Sequence, residues 1–169
     1  MKRRQHSTRY LLPRRLVADG WRPNRTASWI LFKPNETNDD EDGRAVRAAM
    51  ILSRNHGYHD MHVLNLFAQR PPLSDANVES PETIEGYWTN RGVLGVSLKT
   101  RPVVFVAWGD HPAAVAESGW VADLAAERGC LLSCWGVTPS GNPVAPEDIG
   151  AHPALVPWGD TSADISRSK

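Results

Sequence analysis

The stretch Val103–His111, V-V-F-V-A-W-G-D-H, is five apolar residues that run directly into tryptophan, glycine, aspartate and histidine. A short apolar run of β-branched and aromatic residues, bounded by turn residues, predicts a strand buried on both faces, and such strands belong to parallel sheets. Three other stretches repeat the pattern. They are Trp29–Phe32 (W-I-L-F), Met61–Phe67 (M-H-V-L-N-L-F) and Cys130–Trp135, each followed by Gly, Pro or polar residues.

Between these runs the apolar spacing becomes helical. Asp42–Asn55 gathers Val46, Ala49, Met50 and Leu52 on one side, opposite Arg44, Arg47 and Arg54, and Ala113–Arg128 aligns Ala114, Val121, Leu124 and Ala125. Thr89–Lys99 is a weaker helix, because Gly92 and Gly95 each cost about 1 kcal/mol relative to Ala. The alternation predicts an α/β fold, a three-layer α/β/α arrangement with a short, mostly parallel four-stranded central sheet. The Pro-rich segment from Pro71 to Tyr87 has the length of a functional loop or lid.

A chain of 169 residues is long enough to bury roughly 70% of its unfolded surface in one domain, so it needs no disulfide or metal staple. The expected organisation is a basic, flexible arm over 1–15, one domain over 16–158 and a disordered tail over 159–169. Cys130 and Cys134 lie four positions apart in a strand, about 13 Å, which is too far for a disulfide. They read as reduced core residues and fit a cytoplasmic protein. No apolar run approaches the roughly 20 residues of a membrane helix, and the N-terminus lacks the apolar core of a signal peptide. Seven tryptophans are many for this length, and most should fill core.

Net charge is zero, yet unevenly spread. Through Arg25 there are eight basic residues, Lys2, Arg3, Arg4, Arg9, Arg14, Arg15, Arg22 and Arg25, against Asp19 alone; the remainder is correspondingly acidic. An arm that neutralises nucleic-acid phosphates and a solvated tail folded on its own acidic domain both account for this.

In open parallel sheets ligands bind beyond the carboxyl ends of the strands. Those ends supply Lys33-Pro34-Asn35, then Asn65 with Gln69 and Arg70, then Trp108-Gly109-Asp110-His111, and finally Thr138-Pro139-Ser140-Gly141-Asn142. Asn65 stands inside L-N-L-F, where its amide must find partners, either neighbouring loop backbone or a ligand.

R-Y-L-L, K-P-N-E-T-N-D-D-E-D, H-G-Y-H-D-M-H-V-L-N-L-F-A-Q-R, V-V-F-V-A-W-G and G-V-T-P-S-G-N-P together resemble the domain of unknown function 1643, a family of bacteria and their phages, over about Arg9 to Pro146. The family pattern is L-N-P-S-T with acidic residues after it, G-Y, V-N-L-F-x-x-R, A-W-G and a closing L-G-x-T-x-x-G-x-P-x-H-P. This chain has Lys33 in place of the first Asn and Ala145 in place of the closing His; His152-Pro153 follows seven residues later. These two departures put in question any mechanism built on that Asn or that His, with His152 as the alternative to the latter. The resemblance implies a fold and no settled chemistry.

A weaker similarity, Asn-Pro after the first strand with a late P-S-G or H-P loop, is to the uracil-DNA glycosylase superfamily. It implies a pocket at the strand ends that takes a flipped base, with Trp108 or Tyr58 as aromatic face and Asn65 reading the base edge. On this mapping Lys33 or Asn35 takes the water or nucleophile position, Asp110 is a further catalytic candidate, and the basic arm holds phosphate. Tyr58, Gln69, Arg70, Trp108, His111, Thr138, Ser140 and Asn142 complete the expected binding set. Lys33 as an ordinary solvated lysine is the competing reading.

Other patterns weigh less. N-D-D-E-D-G opens like a calcium loop, but Ala49 stands where the bidentate Glu belongs, and acidic residues at a helix N-terminus explain it. His56, His59 and His62 straddle a helix end, a turn and a strand, which works against a shared metal. Asp110 reads as the cap of the following helix, opened by His111-Pro112. No phosphate-binding, dinucleotide or nucleophile-elbow motif is present, and no cofactor is expected. Two functions remain: an enzyme on nucleotides or DNA, N-glycosidic or base-modifying, and a non-catalytic module, phage-encoded on one view, that holds a nucleotide or a partner protein.

Overall fold

The apolar run at the centre of the sequence forms strand β4 (Val103–Ala107) in a computed structural model of the protein, which describes residues 8–17, 25–34, 42–69, 79–151 and 153–159. The other elements are β1 (Leu12–Arg15), β2 (Thr26–Leu31), α1 (Arg44–Asn55), β3 (Asp60–Asn65), α2 (Tyr87–Thr100), α3 (Pro112–Arg128), β5 (Leu131–Cys134) and β6 (Val156–Pro157), with 3-10 turns at Pro81–Thr83 and Pro146–Asp148. All three anticipated helices form, each within two residues of its expected start.

The sheet order is β1-β3-β2-β4-β5-β6. The four anticipated strands make its parallel centre, and two antiparallel edge strands that were not anticipated extend it to six. Their sequences explain why they escaped notice. L-P-R-R and the two-residue V-P carry no apolar alternation, and proline is tolerated in a strand only at an edge, where its missing N–H leaves no ladder bond unmade.

Strand β1 corrects the expected domain boundary. The flexible arm was drawn through residue 15, but Leu12–Arg15 pairs with β3, Leu12 and Leu16 are buried, and the Arg9 amide donates to the Ala68 carbonyl at 2.8 Å. The domain therefore starts by Thr8, which bridges to Gln69. Lys2, Arg3 and Arg4, and the tail from Asp160 onward, lie outside the described residues.

Two cores flank the sheet. Trp29, Leu31, Met61, Val63, Phe105 and Ala107 pack under Val46 and Ala49 of α1. Ile30, Leu64, Val104 and Val106 face the other way, toward Leu94 and Leu98 of α2 and Val121 and Leu124 of α3. This alternation is the period-two geometry of strands buried on both faces. The chain runs from β2 outward to β3, then returns past β2 to β4 and onward to β5. With right-handed crossovers, that reversal moves the helices from one face to the other. It also creates a crevice between the carboxyl ends of β2 and β4.

Among the described residues Trp29, Trp108 and Trp135 fill core as expected, whereas Trp88 is exposed. Trp29 stacks on Trp135 with ring centroids 4.9 Å apart, and its Nε1 donates to Ser53 Oγ at 2.8 Å. Cys130 and Cys134 are free and buried, and burial raises both thiol pKa values above the ordinary range. Among the described residues no helix is long and apolar enough to cross a membrane.

Candidate functional site

Asn65, Leu31 and Ala107 are the last residues of β3, β2 and β4, and they stand in one row across the sheet. Beyond that row lies a cavity of about 340 Å³, bounded by this strand edge, the loop after β2, the start of α1 and the turn at Pro146. It occupies the crevice that the reversal of strand order predicts, and its size falls at the lower end of small-molecule pockets.

Asn65 is 2% exposed. It lies two and four positions beyond Val63 and Met61, so its side chain projects to the α1 face, where Val63, Val46 and Leu31 also line the cavity. The structural duty expected of a buried amide at this point is performed instead by Asn90. Its Nδ2 donates to the carbonyls of Asn65 at 2.9 Å and Leu66 at 2.8 Å. Asn65's own amide makes no hydrogen bond with any described residue.

The cavity lining is predominantly cationic. Arg9, Lys33 and Arg44 contribute to it, with Glu147 as the acidic member. Residues Gly43 to Val46 of the same lining are the N-terminus of α1, whose glycine cap offers no side-chain acceptor. Its first turn holds Arg44 and Arg47 and no acid. Asp42, the described acid from the run expected to complement this helix end, is instead engaged by Arg14 at 2.8 Å.

The loops after β4 and β5 are tied together. The Asp110 Oδ1 accepts from Thr138 Oγ1 and from Asn142 Nδ2, both at 2.7 Å, while Gly109 N donates to Pro143 O at 2.9 Å. Gly109 adopts φ +73°, the left-handed conformation that ends β4. Residues 136–144 form a tight return held by the Val137–Pro143 bridge, and the limb leaving it delivers Ala145, Pro146 and Glu147 to the cavity.

This arrangement reassigns several expected residues. The cap of α3 is His111, not Asp110: His111 Nδ1 accepts from Ala113 N at 3.2 Å while its ring lies against Phe32, centroids 4.5 Å apart. Trp108 borders the cavity, but its indole belongs to the opposite core layer and meets Trp158 edge-on at 4.8 Å. Tyr58 precedes β3 and therefore sits at the amino ends of the strands, packed against Phe105 with Arg25 over its ring. Ser140 is exposed at the tip of the return, away from the cavity wall. Asn35 and Arg70 lie outside the described residues. Of the arm cations, Arg14 pairs with Asp42, Arg15 pairs with Asp60 at 3.0 Å, and Arg9 enters the cavity wall.

Thus the fold brings together Lys33, Asn65, Arg9 and the border of Trp108, and it separates them from Tyr58 and Ser140. Arg44, Gly43 and Glu147 were missed. The first two had a legible signal, an amphipathic helix that opens G-R-A-V-R with neither a capping side chain nor an acid.

Residues 9–146 match the model of a family described as a protein of unknown function, DUF1643. The chain belongs to this family. No curated protein and no solved structure matches it. The DUF1643 match contains every cavity-lining residue except Glu147, which lies immediately beyond it. Lys33 and Ala145, where this chain departs from the family pattern, both line the cavity. Among the described residues no group of three or more His, Cys, Asp and Glu side chains could hold a metal. His56 lies edge-on to Trp135, whereas His62 contacts Arg101.

Proposed function

We propose that this DUF1643 protein binds a nucleotide, free or as part of a nucleic acid, in the cavity at the carboxyl ends of β2, β3 and β4. The observation that carries the reading is Asn65, a buried amide with no described protein partner beside a predominantly cationic wall. The Asn65 side chain lines the cavity with its amide uncommitted to the protein, and a base edge offers a paired donor and acceptor to match it. Lys33 and Glu147 line the cavity and on this reading would carry protons for chemistry at the glycosidic bond or on the base. This is a glycosylase-like role, with phosphate contacts made by the basic side of the site.

A binding module without turnover is favoured by one observation. The Asp110 carboxylate, one of the catalytic candidates at the strand ends, is engaged in holding Thr138 and Asn142.

Titration of the full chain with nucleosides, mononucleotides, single-stranded DNA and duplex DNA over a salt series tests the proposal. Binding of base-bearing ligands that is lost in Asn65→Ala supports it. Absence of binding by every base-bearing ligand overturns it. Release of free base, sensitive to Lys33→Gln or Glu147→Gln, separates the enzyme from the module.

A further inference from the structure

Accepting that reading of the cavity, we infer that the N-terminus of α1 is its phosphate subsite, with Arg44 as its cation. The amides of Arg44, Ala45 and Val46 have no partner within the helix, because the first turn of any helix lacks the preceding carbonyls. Gly43 supplies no side-chain cap, and these residues line the cavity. Uncapped amides at the positive end of a twelve-residue helix form an anion cradle.

The charges around the cradle agree. Acidic side chains ordinarily favour the first turn of a helix, and here the first turn carries Arg44 and Arg47. Arg44, which lines the cavity, is the wrong sign for the helix alone and the right sign for an anion bound to it. Arg9 and Lys33 line the same cavity, and Asp42, the carboxylate nearest in sequence among the described residues, is drawn toward Arg14. Asn65 provides the independent indication that a ligand belongs here. It is 2% exposed, directed to the α1 face, and without a hydrogen-bond partner among the described residues. A base on Asn65 and a phosphate on the α1 N-terminus would place a nucleotide across the cavity from strand edge to helix.

Calorimetric titration of the full chain tests this, comparing thymidine, its 5′-monophosphate, inorganic phosphate and a short single-stranded oligonucleotide. The expected result is at least tenfold tighter binding of the monophosphate than of the nucleoside, with competition by inorganic phosphate. Arg44→Gln should abolish that difference, and Arg47→Gln, whose guanidinium is turned to the Asp42 carbonyl, should retain it. Stronger binding of the oligonucleotide than of the monophosphate, equally dependent on Arg44, assigns the subsite to a strand phosphate. Equal affinity for nucleoside and monophosphate overturns the subsite and leaves the base pocket standing. Equal losses in Arg44→Gln and Arg47→Gln overturn it as a diffuse charge effect. Inorganic phosphate binding that requires Arg44, without binding of any base-bearing ligand, keeps the subsite and removes the nucleotide reading. No binding of any of the four removes both.

Discussion

Asn90 holds Asn65 by its main chain and leaves its side chain open to the cavity. The Asn90 amide spans two carbonyls, Asn65 O at 2.9 Å and Leu66 O at 2.8 Å, from a position on α2 that is 1% exposed. One asparagine serves the fold so that the other is available to a ligand. Asn90→Ala should unsatisfy both carbonyls at the end of β3 and cost about 2–4 kcal/mol. Chemical denaturation checks this; a loss below about 1 kcal/mol would show that water replaces the amide.

Asn65→Leu should have the opposite character. The Asn65 amide has no protein partner to lose among the described residues and opens on the cavity, so stability should change by less than about 1 kcal/mol while nucleotide binding disappears. Thermal melting and titration on the same sample separate the two effects. Destabilisation by more than about 2 kcal/mol would mean the amide is structural.

Asn142 and Asp110 act on the cavity at one remove. Asn142 is 6% exposed, and its bond to the Asp110 carboxylate fastens the return that delivers Ala145, Pro146 and Glu147. Asn142→Ala should cost about 1.5–3 kcal/mol, the range for hydrogen bonds to charged groups, and weaken ligand binding without altering its pH dependence. Unchanged affinity would detach the return from the site.

Tyr87 and Glu117 meet between α2 and α3, where the phenol donates to Glu117 Oε1 at 2.9 Å and Arg91 approaches Oε2 at 3.7 Å. Burial, followed by the bond to Glu117, pushes the Tyr87 pKa up to about 12. A raised phenol pKa favours the protonated folded state, so this contribution is complete below about pH 10 and is lost as pH rises through about 12. Ultraviolet titration should show one late-ionising tyrosine that vanishes in Tyr87→Phe, and that variant should lose about 1.5–3 kcal/mol at neutral pH.

His62 links stability to mild acid. Burial, then the Arg101 guanidinium 3.1 Å away, lowers its pKa below 6.5, while Asp60 opposes the shift. Arg101 is itself held by Ser28 Oγ at 2.8 Å. The unfolded chain therefore binds the proton more tightly, so the contribution is present above about pH 6.5 and declines as pH falls through the lowered pKa. His62→Gln should flatten the fall of the melting temperature as pH drops below about 6.5. An unchanged slope would place the linkage elsewhere.

The parallel centre of the sheet and the three helices were legible because strands buried on both faces must be continuously apolar and helices that cover them must be one-sided. Those requirements act within a few residues, so V-V-F-V-A and the Val46–Ala49 stripe declare themselves without reference to the rest of the chain. The edge strands were not legible, since β1 and β6 owe their existence to partners, Val63 opposite Leu12 and Cys134 opposite Val156, rather than to any pattern of their own.

The site divides along the same line. Chain order alone implied that ligands meet the strand ends, and it brought Lys33, Asn65 and Trp108 into consideration. Only the tertiary structure separated cavity from scaffold. Side-chain alternation turned the Trp108 indole into the opposite layer, the parallel pairing of β2 with β3 brought the N-terminus of α1 to the cavity that Asn65 lines, and the Asp110–Asn142 bond fastens the return that leads to Glu147. Each of these depends on residues distant in sequence becoming neighbours, and local propensity carries no information about which carbonyl or carboxylate a side chain will meet after folding.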